Sequence, residues 1–516
     1  MTDGALSRRD FLRLSGRVGL GAMAITIPGA MPVWGGARAG TPAYAPAKPQ
    51  ALDEPHREIV LEAQELDWEL APGTVVKAMG YNGQTPGPEI RCKEGEFIRV
   101  YAENTLPKQP ISMHWHGLDE ASPMLMEGEA SEGTPHAIPD VPFSNEGEYI
   151  YEFEVRPSGT RFYHPSHAWP GVVQNDSGLY GPVIIEPNGP EPYPYDREYT
   201  LFFDDWATGT RPPLPGTWDG SAVGGVGGGM AAMMQMGTMM GAMMRGPRTM
   251  PYDIMTINSK AYPLTKPLRV RRGERVRLRL INSSNWLTHV IRLTGHRLKV
   301  THTDGNPLIE PVEVDAVPIV ISERYDVLFE ANNPGVWFLY CAEPGHAAAG
   351  ERVLVVYDGH TVSTPPPPVP GTAGARVWHY ALGRGQDVIP APTGQVRNYQ
   401  MSLMGQPMTD TWTINGLNYP KAFDKQVAKV GDLVRVRITN MSMIHHPMHL
   451  HGQAHKVLAV NGVRLPNPIV KDVTDVHPMM GTIFVEFTAQ FPGRWPYHCH
   501  LWPHSEGGMF TYVEIS

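Results

Sequence analysis

Apolar and polar residues alternate with a period of two in three separate stretches, Phe97–Glu103, Arg275–Ile281 and Leu433–Thr439. That period belongs to half-buried strands. Each stretch follows a glycine and an acidic residue and ends on an asparagine nine positions after the glycine: Gly95-Glu96 to Asn104, Gly273-Glu274 to Asn282, Gly431-Asp432 to Asn440. The copies lie 178 and 158 residues apart, a domain-sized spacing. Three β-sandwiches in tandem are expected rather than a solenoid of short units.

A second repeat closes each copy. Gly159 leads to Tyr163-His164, Gly335 to Tyr340-Cys341 and Gly493 to Tyr497-His498-Cys499, and an apolar strand follows each time. The expected organisation is all-β, with three tandem sandwiches at 55–190, 191–364 and 375–516. The middle copy carries an insertion at 224–250, and the prolines 365–368 make a stiff linker. Gly 54 and Pro 51 among 516 residues favour this turn-rich architecture, and a net charge of −9 argues against a nucleic-acid partner.

The N-terminus reads Ser7-Arg8-Arg9-Asp10-Phe11-Leu12, then a weakly apolar run to Ile27 and a small-residue site at Ala37-Arg38-Ala39. This is the pattern of a twin-arginine signal over residues 1–39, which implies the twin-arginine export machinery as a partner and a periplasmic or extracellular location. No other apolar run reaches about 18 residues, so no stable membrane insertion is expected.

Three cysteines cannot build a disulfide framework, and set against 26 methionines and 21 histidines they point to soft metal ligation, copper above all. Ten of the histidines fall in four clusters: His114 and His116 in HWHG; His164 and His167 in HPSH; His446, His449 and His451 in HPMHLHG; His498, His500 and His504 around Cys499. Neighbours on a strand point to opposite faces, so His498 and His500 share one face and Cys499 faces the other way. One segment thereby touches two metal centres. Cys499, His504, Met509 and an upstream histidine, His446, form the donor set of a blue copper site.

Together the four clusters resemble those of the multicopper oxidases, and the likeness, which spans nearly the whole chain beyond the signal, implies that the three sandwiches are cupredoxin-like Greek-key domains. The resemblance implies four copper ions: type 1 on His446, Cys499 and His504 with Met509 axial, type 2 on His114 and His449, and a type 3 pair on His116, His164, His167, His451, His498 and His500. It implies one-electron oxidation of a small reducing substrate at type 1, transfer through Cys499, and reduction of O2 to water at the other three coppers. One motif departs from the family's His-X-His: His164-Pro165-Ser166-His167 is a residue longer, so His167 ligates only if the strand bulges. Oxygen reduction also consumes protons. The candidate carboxylates are Glu127, which precedes Gly128 as in family members, and Glu506, one step beyond Ser505, which itself stands where some relatives carry glutamate.

The middle copy repeats the type 1 loop with a change. Cys341, His346 and Glu351 keep the spacing of Cys499, His504 and Met509, and His289 stands seven residues after Asn282 where His446 stands six after Asn440. Descent from a blue copper domain is expected, with a relic holding a buried thiol favoured over a retained metal site. Cys92 reads as a buried hydrophobe. Nine methionines lie between Met230 and Met250 beside a glycine run, with Met233, Met236, Met240 and Met243 on one face if the segment is helical; Met401, Met404 and Met408 precede the third copy. Thioethers suit Cu(I), so cuprous ion is the expected electron donor in a role in copper tolerance, with phenols as a side activity. A laccase acting mainly on phenols and a periplasmic copper-sequestering protein are the alternatives, and Mn(II) or Fe(II) oxidation stays open.

Overall fold

The computed structural model describes residues 57–107, 109–119, 147–166, 171–210, 252–406 and 411–516, and Glu58–Ser516 form one unit. The signal segment, Glu127, His167, the insertion 224–250 and Met408 lie outside the described residues. Strands dominate, in six sheets paired into three sandwiches.

The glycine-acid-asparagine repeat explains itself in the turns it builds. Gly95, Gly273 and Gly431 take φ of 82°, 92° and 88°, a left-handed conformation that favours glycine. The acid beside each caps its own turn: Glu96 accepts from the Lys93 N–H (3.0 Å), Glu274 from Arg271 (2.8 Å) and Asp432 from Lys429 (3.1 Å). At the far end of the strand each asparagine is buried and pins the next corner, its amide donating to the carbonyls of Gln109, Leu287 and Ile444 at 2.8, 3.0 and 2.7 Å.

The second and third sandwiches share one topology. The middle six-stranded sheet runs Ile254–Ile257, Arg197–Trp206, Arg275–Asn282, Arg324–Glu330, Leu298–Thr303, Asn306–Val314. The third runs Thr411–Ile414, Val396–Gln406, Leu433–Asn440, Thr482–Thr488, His455–Val460, Val463–Lys471, the same strands in the same order. Opposite it lies the five-stranded sheet Gln426–Ala428, Phe510–Ile515, Gly493–Cys499, His446–Leu450, Val473–Val476. The first sandwich is smaller, with four strands per sheet and Met113–His116 at the edge of one of them.

Alternation sorts the motif residues between core and site. Trp115 and Tyr163 point into the first core with Phe153 and Val183, and Cys499 joins the third core with Met448 and Tyr497, while the flanking histidines face away. Cys92 sits in the first core, as its reading as a buried hydrophobe requires.

Candidate metal centres

Two antiparallel strand pairs carry most of the histidines. Met113–His116 pairs with Gly159–Pro165 so that His114 lies opposite His164, and His446–Leu450 pairs with Gly493–Cys499 so that His449 lies opposite His498. The pairs meet face to face: His114 stacks on His451 with centroids 4.1 Å apart, and His116 on His449 at 3.9 Å. Seven of the motif histidines, His114, His116, His164, His449, His451, His498 and His500, converge here, none more than 3% exposed.

Donor atoms fall into close groups. His114 Nε2 and His449 Nε2 are 3.2 Å apart, His116 Nδ1 and His164 Nε2 3.1 Å, and His451 Nε2 and His498 Nε2 2.7 Å. The His500 ring lies 5.2 Å from His116 and 5.3 Å from His164, centroid to centroid. Carbonyl oxygens fix several tautomers: His164 Nδ1 faces Pro165 O (2.8 Å), His449 Nδ1 faces Asp472 O (2.9 Å) and His498 Nδ1 faces Cys499 O (3.0 Å). With Nδ1–H donated to a carbonyl, Nε2 keeps its lone pair toward the cluster. Burial, reinforced for most of them by neighbouring cationic or imidazole groups, holds these rings neutral; His164 is pushed down to about 3 and His498 to about 4.

On the other side of the Gly493–Cys499 strand, Cys499 Sγ stands 3.5 Å from His446 Nδ1 and 3.7 Å from His504 Nδ1, and the two nitrogens are 3.0 Å apart. Nitrogen bonds of about 2.0 Å and a thiolate bond of about 2.3 Å, splayed by roughly 100–120°, span edges of about 3.1–3.8 Å. The three donors fit one ion. Met509 is fully buried, and its backbone is tied to both neighbours: its N–H donates to His504 O (2.9 Å) and its carbonyl accepts from the Cys499 N–H (3.1 Å). Trp412 stacks on His504 at 3.5 Å and Trp286 meets it edge-on at 5.6 Å, which keeps water off this side.

Sequence models of the multicopper oxidases match residues 62–190, 231–359 and 392–516. The chain is 30% identical to multicopper oxidase MmcO of Mycobacterium tuberculosis over 86% of its own length and 84% of that protein's. It belongs to the multicopper oxidase family. The copper resistance protein A homolog of Pseudomonas syringae pv. tomato is 25% identical, with 99% of each chain covered. In fold, this oxidase resembles the multi-copper oxidase of Pseudomonas thermotolerans (TM-score 0.63, 24% identity, 89% and 99% covered). It also resembles the laccase of Botrytis aclada (TM-score 0.66, 22% identity, 89% and 87% covered).

Several residues beside the oxidase's histidines carry no signature in its motifs. Asp472 lies 3.1 Å from His116 Nε2 and is gripped in two places by Arg324, Nη1 to Oδ1 at 2.5 Å and Nη2 to Oδ2 at 2.6 Å. Burial alone would raise its carboxyl, but that guanidinium holds it below the ordinary carboxylate range. Ser322 Oγ lies 2.9 Å from His500 Nδ1, so the middle sandwich also reaches the cluster. Ser442 Oγ lies 2.8 Å from His446 Nε2. One of these had a sequence signal, since a serine stands two residues after the repeat asparagine in both later copies, Ser284 and Ser442.

The glycines closing HWHG and HLHG are required. Gly117 (φ 84°) and Gly452 (φ 71°) are left-handed, and an added Cβ would stand 2.4 Å from Arg324 Nη2 in the first and 2.6 Å from the Trp495 ring in the second. Glu506 is exposed at the end of the short helix Trp502–Glu506 that carries His504. No helix among the described residues is long and apolar enough to cross a membrane.

Proposed function

We propose that this oxidase takes electrons from Cu(I) and delivers them to O2, in a role in copper tolerance outside the cytoplasm after twin-arginine export. In this reading His446, Cys499 and His504, together with Met509, would hold type 1 copper, and His114 and His449 would hold type 2. His116, His164 and His500 would hold one type 3 ion, and His451 and His498, with His167 as the expected third ligand, would hold the other. Copper bound in these places supplies one-electron oxidation at the thiolate and four-electron reduction of O2 at the histidine cluster.

The observation that carries the cuprous reading is a group of exposed methionines beside His446. Met404, Met441, Met443, Met479 and Met480 are 40–61% exposed. Backbone hydrogen bonds to residues next to these methionines hold their segments together: Met441 N–H donates to Leu403 O (2.8 Å), Met479 N–H to Ser442 O (2.9 Å) and Met480 N–H to Asn440 O (2.8 Å). Met479 and Met480 take φ of 57° and 71°, a left-handed conformation that is costly for two consecutive non-glycine residues. Thioethers favour Cu(I) over harder ions. Ser442, within this group, is also the residue whose hydroxyl meets His446, so the patch lies one side chain from a type 1 ligand.

The other residues take supporting roles. Cys499 links the two centres through its carbonyl, which faces His498 Nδ1. Arg324 and Asp472 keep His116 and His449 in place. Glu127 remains a proton donor to the cluster, whereas Glu506, exposed beside His504, is suited to meeting an incoming cation.

The test replaces Met441, Met443, Met479 and Met480 with leucine and follows O2 uptake with Cu(I) and with 2,6-dimethoxyphenol. A loss of about 1.4 kcal/mol of substrate stabilisation lowers kcat/KM for Cu(I) about tenfold while the phenol rate stays within about twofold. Equal losses on both donors, or none on Cu(I), would refute the reading. Deleting residues 230–244 in the same assay separates the contribution of the insertion.

A further inference from the structure

The middle sandwich contains a second set of donors built on the plan of the type 1 site. Cys341 lies opposite Ile291, two residues after His289, as Cys499 lies opposite Met448, two residues after His446. Cys341 N–H donates to Glu351 O at 3.1 Å, as Cys499 N–H does to Met509 O at 3.1 Å. Glu351 N–H donates to His346 O at 3.1 Å, as Met509 N–H does to His504 O at 2.9 Å. Ser284 Oγ lies 2.7 Å from His289 Nε2, matching Ser442 and His446 at 2.8 Å. The serine that orients the ligand is therefore kept along with the ligand.

The side chains converge. His289 Nδ1 is 2.6 Å from Glu351 Oε1, His346 Nδ1 is 3.1 Å from Glu351 Oε2, and Cys341 Sγ is 3.4 Å from His346 Nδ1. The four donor atoms lie within 4.8 Å of one another, and none of the four residues is more than 2% exposed. Among the described residues, the ion pairs of Glu351 are with these two histidines and with no lysine or arginine.

We propose that His289, Cys341, His346 and Glu351 bind a divalent transition-metal ion, Cu(II) or Zn(II), in addition to the coppers of the catalytic sites. A thiolate and a carboxylate bring two negative charges into a dry interior, and a divalent cation balances them. Glutamate in the place of the axial methionine swaps a soft thioether for a hard anionic oxygen, which turns the site away from Cu(I). The Val290 N–H donates to Cys341 Sγ (3.2 Å), where the type 1 loop has Pro447 and no N–H to offer. That hydrogen bond favours the thiolate. The ion is held rather than cycled, and the proposal does not rest on the identity of the electron donor.

The experiment uses the full chain with Cys499→Ser, which removes the type 1 thiolate, loaded separately with Cu(II) and with Co(II). Thiolate-to-metal absorption persists in this variant and disappears when Cys341→Ser is added, together with one metal equivalent per chain by elemental analysis. Cys92 remains in both proteins and serves as the control thiol. If the double variant does not fold, Glu351→Gln in the Cys499→Ser chain shifts the same band. Elemental analysis of the unsubstituted protein beside Cys341→Ser, both as isolated, tells copper from zinc by the ion whose equivalent is lost, and loss of either upholds the site. Absence of any thiolate-to-metal band in the Cys499→Ser protein with both metals would overturn it, leaving a hydrogen-bonded triad beside an inert thiol.

Discussion

Replacing Asp472 with asparagine removes one charge from a buried group of six while leaving its shape. Arg161, Arg324 and Lys471 face Asp304, Glu323 and Asp472, and none of the six is more than 2% exposed. Besides the Arg324–Asp472 pair, Lys471 Nζ lies 3.1 Å from Asp304 and 3.0 Å from Glu323, and Arg161 lies 3.6 Å from Asp472. The formal charges balance three to three. Asp472→Asn leaves one positive charge uncompensated in a dry interior, which costs about 3–5 kcal/mol. Arg324→Gln leaves one negative charge and costs a similar amount. The double variant is balanced again, so its cost falls short of the sum by about 2 kcal/mol or more. The assay is urea unfolding of the metal-free proteins followed by tryptophan fluorescence, since bound copper would add its own stabilisation. A cost under about 1 kcal/mol for Asp472→Asn, additive with Arg324→Gln, would refute the claim that the pair acts as a unit.

Two further outcomes follow from the turns. Gly117→Ala places a methyl at φ 84° and 2.4 Å from Arg324 Nη2, so it costs about 1–3 kcal/mol of stability and lowers copper content at the histidine cluster, measured by thermal melting and elemental analysis. Asp432 is held down to about 2 by Arg397 and by the N–H groups of Lys429 and Gln395. Its stabilising effect is complete above the ordinary carboxylate range and is lost as pH falls through about 2, so Asp432→Asn flattens the acid limb of unfolding between pH 4 and 2.

Local chemistry was legible in the chain and distant chemistry was not. The glycine, acid and asparagine of each copy act on their own turn, corner and strand, within about ten residues, so their spacing exposes three strands of one design. The histidine faces follow from strand alternation, which is why His498 and His500 could be assigned to one metal centre and Cys499 to another. Asp472 has no such mark. It sits 148 residues from Arg324 and 356 from His116, at the bend between the strands Val463–Lys471 and Val473–Val476, and only the packing of three sandwiches brings them together. The methionine patch was hidden for the same reason, since Met404, Met441 and Met479 belong to three segments joined only by tertiary hydrogen bonds. In the middle copy the expectation leaned toward a relic. The closeness of Glu351 to both histidines, and the retention of Ser284, change the weight given to that loop.

Ser322, Arg324 and Asp304 come from the middle sandwich, which lends no histidine to the cluster, yet they grip His500 and Asp472 from behind. The outer two sandwiches therefore do not suffice as a pair of half-sites. Separately expressed pieces spanning 57–190 and 392–516 would carry the ligand motifs and still lack the part that sets their spacing. Removing the middle copy would cost the cluster its alignment although no histidine left with it.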